Sequence, residues 1–155
     1  MPKSLFQEII FTIIMVFFMV YALICYNMSL ALGDLSNAVF LGAFKELLIM
    51  APIAFLLDTF IAGRLAKHFT FKIFNPAETK PIFLILSISV FSVMFMCPMM
   101  SFAATILFKG GLLQSEVVAI WIKTTILNFP MAFFWQLCFA GPVVRRIFGA
   151  VFGRK

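Results

Sequence analysis

Four apolar runs, each close to the length of a membrane crossing, constrain this chain more than any other feature. They cover Leu5 to Tyr26, about Glu46 to Ala62, Pro81 to Phe108, and about Val117 to Gly141. A helix needs ~20 apolar residues to cross ~30 Å of hydrocarbon, and backbone amides in lipid must be satisfied within their own segment. Composition agrees. The chain has 155 residues, 64% of them hydrophobic and 12% charged, with a mean hydropathy of +1.12. A water-soluble core of this size cannot hide that much apolar surface. The fold class predicted is an all-α membrane protein with four transmembrane helices. The first run is longer than a cleaved leader's apolar part and has only Lys3 before it, so it reads as a retained span.

The charge of +6 is distributed by side. Lys3, Arg64, Lys67, Lys72, Lys80, Arg145, Arg146, Arg154 and Lys155 fall at the two termini and between the second and third runs. Only Lys45, Lys109 and Lys123 fall on the other side. Positive charge stays cytoplasmic, so a multi-pass protein of the cell membrane with both termini in the cytoplasm is expected. Topology thereby accounts for the basic character, and the partners implied are membrane lipids, not nucleic acid.

The chain also repeats itself. A shift of 78 positions, without gaps, places Pro52, Ala54, Phe55, Ala62 and Gly63 on Pro130, Ala132, Phe133, Ala140 and Gly141. The same shift pairs Ile10 with Ile88, Phe17 with Phe95, Gly33 with Gly111, and Lys45 with Lys123. Two tandem two-helix repeats follow, residues 1–77 and 79–155, expected to pack as one bundle. Each repeat crosses twice, so the copies should be parallel, about a pseudo-two-fold axis along the membrane normal. The segment Lys72 to Lys80 reads as a cytoplasmic connection within that bundle.

The stretch FPMAFFWQLCFAGPVVRR, with its proline-containing second helix, Gly-Pro end and basic pair, resembles a small bacterial membrane family catalogued as domain of unknown function 2798. The first copy, APIAFLLDTFIAGRLAKH, departs by carrying Arg64 where the second has Pro142. The resemblance implies an inner-membrane protein without an assigned activity, and it supplies no catalytic residues.

One acid interrupts the second run. Asp58 lies between Ala54 and Ala62 at four-residue spacing, and Gln136 lies identically between Ala132 and Ala140. Residues four apart share a helix face, and small–polar–small stripes let helices approach and bond in lipid. Asp58 therefore faces a neighbouring helix, ~9 Å inside the boundary marked by Arg64. Its expected partners are Gln136, a group on the first helix, or a nearby base. An ionisable group inside a span is a functional candidate, with a structural acid as the plainer alternative.

Other polar positions are weaker candidates. Glu8 and Thr12 form an inward stripe on the first helix, with Glu8 near its entry into lipid. Asn128, two residues before Pro130, is expected to bond backbone groups that the proline frees. Lys45 and Lys123 read as an interfacial basic pair whose stems snorkel, and His68 as a surface residue. Pro52, Pro98 and Pro130 are expected to bend their helices. Cys25, Cys97 and Cys138 read as buried thiols. The run MFMCPMM (Met94 to Met100) invites a copper reading, but its sulfurs are spread around the helix, so neither metal nor cofactor is expected. With no nucleophile–base pair or phosphate loop, the chain reads as a non-enzyme. The expected function is a small transporter or efflux-type protein for an ion or small molecule, able to form a homo-oligomer, with Asp58 as its ionisable group. The alternative is a structural or regulatory membrane partner without transport.

Overall fold

The computed structural model describes residues 4–110, 113 and 115–153. Lys3, Gly111, Arg154 and Lys155, used above for topology and for the repeat, lie outside the described residues. Helix α1 runs from Leu5 to Leu32, α2 from Asn37 to Leu57, α3 from Gly63 to Ile73, and α4 from Pro81 to Phe108. Helix α5 covers Val117 to Trp135 and α6 covers Gly141 to Phe152. A π-helical turn, Asp58 to Ala62, joins α2 to α3, and a second, Gln136 to Ala140, joins α5 to α6. Four continuous helices result, Leu5–Leu32, Asn37–Ile73, Pro81–Phe108 and Val117–Phe152, all long and apolar enough to cross a membrane.

Helix ends follow local chemistry. Ser4 opens α1 by accepting a bond from the Gln7 amide at 3.3 Å, and Gly33 closes it at φ 75°, a left-handed conformation that glycine adopts without strain. Between these ends α1 outruns its apolar stretch by a turn and a half. Asn27 and Ser29 tolerate this because their side chains bond back to the carbonyls of Leu23 and Cys25, at 2.9 and 2.8 Å. Pro81 occupies the first turn of α4, where a missing amide proton costs nothing.

The second and fourth helices are longer than the hydrophobic reading allowed, which stopped them at Ala62 and Gly141. At 37 and 36 residues they extend about 55 Å, well beyond a ~30 Å hydrocarbon layer. Hydropathy marks where the lipid ends, not where the helix ends. Helices α3 and α6 continue as amphipathic segments that bury Ala66 and Thr70, or Gly141 and Val144, and expose Arg64, Lys67, Lys72 and Arg146.

The helices run through Pro52, Pro98 and Pro130. After Pro52 and Pro130 the departure from α geometry comes six residues later, as the π turns; none follows Pro98. The two π turns are 78 residues apart, the same shift that aligns the repeats.

The chain divides into two compact units. The first comprises residues 1–55 and 134–155, the second residues 56–133. Each unit draws on both repeats, and the chain leaves one unit and enters the other at equivalent positions, 55/56 and 133/134. In the first unit α6 and its π turn pack on α1. The Trp135 indole donates to the Phe18 carbonyl at 3.3 Å, Phe11 meets Phe148 edge-on at 5.6 Å, and Tyr21 meets Phe44 at 5.1 Å. In the second unit α3 and its π turn pack on α4, where Phe69 contacts Phe91 and Phe95.

Candidate functional site

The small residues expected at helix seams are buried: Ala54 and Ala62 have 0% exposure, Ala140 1% and Ala132 2%, and Ala66, one turn past Ala62, also has 0%. Between the first two of these, Asp58 sits half-buried at the start of its π turn. Its Oδ1 accepts a hydrogen bond from Ser92 Oγ of α4 at 3.3 Å, and Lys67 is within electrostatic reach. The hydrogen-bond partner is thus a hydroxyl on the third long helix that was not expected from sequence, while Lys67 is the nearby base that was. The π turn accounts for this, because an inserted residue re-aims every side chain around it.

Gln136, the counterpart of Asp58, is buried in the first unit at the start of its own π turn. Glu8 is half-buried in the first turn of α1, and Lys45 and Lys123 are exposed. His68 is exposed beside Phe69. Cys25 and Cys97 are buried, but Cys138 is exposed on the apolar surface, which corrects the reading of three buried thiols. Hydropathy could not separate these cases, since a cysteine facing lipid and one facing a helix occupy equally apolar runs. Among the described residues no group of three or more His, Cys, Asp or Glu side chains could hold a metal ion.

A second polar cluster lies between α4 and α5 in the second unit; sequence reasoning singled out Asn128 but not its partners. Asn128 Nδ2 donates to Ser101 Oγ at 3.4 Å, instead of bonding the backbone around Pro130. Its Oδ1 is buried without a hydrogen-bond partner among the described residues. Thr105 Oγ1 donates to the Ser101 carbonyl at 2.8 Å, and Lys109 Nζ donates to Thr124 Oγ1 at 2.9 Å. The Trp121 indole donates to the Pro98 carbonyl at 2.8 Å, and Cys97 Sγ contacts the Thr125 carbonyl at 3.9 Å. Ser101, Thr105, Thr124 and Asn128 are all at least 95% buried. Just beyond the end of α4, burial and then the like charge of Lys123 lower the pKa of the Lys109 ammonium.

One sequence signal could have found this cluster. The repeat shift places Ser101 on Leu23, Thr124 on Glu46, Asn128 on Met50 and Lys109 on Ala31. On the other face of α4, Ser92 falls on Ile14. The copies diverge in polarity at Ser92, Ser101 and Asn128, whereas Thr105 falls on Asn27 and is polar in both. Trp121→Phe should remove the bond to the Pro98 carbonyl and cost about 1 kcal/mol of unfolding free energy, measurable by denaturation in detergent.

Fold and seam together define a multi-pass, all-helical membrane protein built by duplication of a two-helix unit. The sequence profile of the family described as Domain of unknown function (DUF2798) matches twice, over residues 4–74 and 83–152, and the chain belongs to that family. An uncharacterized protein of Bacillus subtilis (strain 168), YybC, is 32% identical over 153 residues, spanning 96% of this chain and 92% of that protein. No solved structure shows significant similarity.

Proposed function

We propose that this is a small bacterial inner-membrane transporter, with both termini cytoplasmic and its repeats parallel, in which Asp58 binds and releases a proton during transport. The bond between Asp58 and Ser92 carries this reading: the acid is inside a span, off the lipid, and held by a neutral hydroxyl on another long helix. A hydroxyl can donate to the carboxylate or accept from the carboxylic acid, so both protonation states keep a partner. The topology rests on the distribution of Lys and Arg.

Reconstitution in liposomes with an internal pH-sensitive dye tests the mechanism. Wild-type protein should dissipate an imposed pH gradient. Asp58→Asn should fold and melt as wild type, because the amide keeps shape and bonding capacity, yet lose that flux. Ser92→Ala should retain a reduced flux. An inert wild type, or an Asp58→Asn variant with undiminished flux, would reject the proposal in favour of a structural or regulatory partner. Topology is checked separately by labelling single cysteines placed at Lys72 and Lys109. Modification of both from the same side would overturn it.

A further inference from the structure

The cluster between α4 and α5 makes no use of Asp58, and its chemistry is lopsided. At one end are donors: the Lys109 ammonium, which spends one of its three protons on Thr124, the neighbouring Lys123, and the Thr124 hydroxyl. At the other end are acceptors: Asn128 Oδ1, buried and unpartnered, and the Ser101 hydroxyl oxygen. Thr124 and Asn128 are one turn apart on the same face of α5, a rise of ~6 Å. A buried acceptor left unsatisfied is costly, more so in a chain that could have kept the methionine or leucine of its other repeat. Two ammonium groups near one another gain from an anion between them.

We infer that the α4–α5 polar cluster binds a small zwitterion of the α-amino-acid class. Its carboxylate meets Lys109, Lys123 and the Thr124 hydroxyl, and its ammonium donates to Asn128 Oδ1 and Ser101 Oγ. The amine and carboxylate of an α-amino acid are ~3 Å apart by covalent geometry, and with a hydrogen bond of ~2.9 Å at each end set at an angle to that axis, not in line with it, the ligand bridges groups one helical turn apart. Lys109 is exposed, so the donor end can be reached from outside. The equivalent positions of the first repeat are Leu23, Ala31, Glu46 and Met50. They provide no donor, and their one acceptor, Glu46, stands where the second repeat has the Thr124 hydroxyl, so one site per chain is expected.

Calorimetric titration of the full chain in lipid nanodiscs, with glycine and L-alanine as probes, tests this. At least one should bind saturably at one per chain. Acetate and methylammonium, each carrying half of the ligand, should bind at least tenfold more weakly. So should glycine betaine, a zwitterion with no N–H to give Asn128. Asn128→Leu and Lys109→Met should weaken the amino acid by about tenfold or more, the loss expected for one buried polar partner. Asn128→Asp, which keeps an acceptor, should retain binding. If Asn128→Leu fails to fold, the betaine comparison and Lys109→Met decide. Failure of both amino acids to bind, betaine binding as tightly as glycine, or undiminished binding by the folded variants would overturn the inference. The Asp58 proposal stands or falls on proton flux instead, so either can fail alone.

Discussion

Gly63→Ala will destabilise the protein, although alanine is the better helix former and Gly63 has ordinary right-handed helical angles, φ −66° and ψ −37°. The reason is the π turn. Its closing bond runs from the Gly63 amide to the Asp58 carbonyl, five residues back, and brings that oxygen against the glycine. A Cβ on Gly63 would lie 2.7 Å from the Asp58 oxygen, and one on Gly141 would lie 2.8 Å from the Gln136 oxygen. Both obstacles are backbone and cannot swing aside. The turn must deform, or revert to α geometry and rotate Asp58 away from Ser92. Each substitution should cost about 1–3 kcal/mol, as overpacking does elsewhere. Gly149→Ala is the control, because its Cβ would meet nothing within 4 Å and should gain up to ~1 kcal/mol of helix propensity. Denaturation in detergent reads the sign directly. If Gly63→Ala and Gly149→Ala shift stability in the same direction, the π turn does not need its glycine.

Ala66→Leu should have the larger effect and prevent folding at ordinary temperature. Ala66 has no exposed surface on α3, the helix that packs against α4. The bare methyl lets α3 lie close on α4, and a side chain with no exposed surface has no open side into which a larger one could turn. A leucine there adds three carbons with nowhere to go, at a cost of about 3 kcal/mol or more. Ala62→Leu, at the end of the π turn, should behave alike. Leu48→Ala, at a position 78% exposed, removes the same three carbons from a surface that faces lipid and should cost little. Monodispersity and melting of the three purified variants distinguish the cases. A well-folded Ala66→Leu would show that α3 and α4 have room to separate.

Much of the architecture was present in the amino-acid order because lipid is a strict solvent. It demands long apolar segments with internally satisfied backbones, so the four spans and their helical state follow from hydropathy alone. Duplication was equally legible, since prolines, glycines and lysines recur at a single shift. So was the seam, because small residues four apart can serve only a face that is closely approached, and Ala54, Ala62, Ala132 and Ala140 are indeed buried. The tertiary structure decided what hydropathy cannot express. Helix continuation past Gly63 and Gly141 depends on local hydrogen bonding, which does not register where lipid stops. The π turns re-aim side chains through one inserted residue, and no residue type announces that insertion. The partner of Asp58, at the start of its π turn, proved to be Ser92, and Asn128, within regular α-helix, turned to Ser101 and away from the backbone near its proline. Which polar groups meet depends on how helices are rotated and paired, a property of the packed units that no single helix contains.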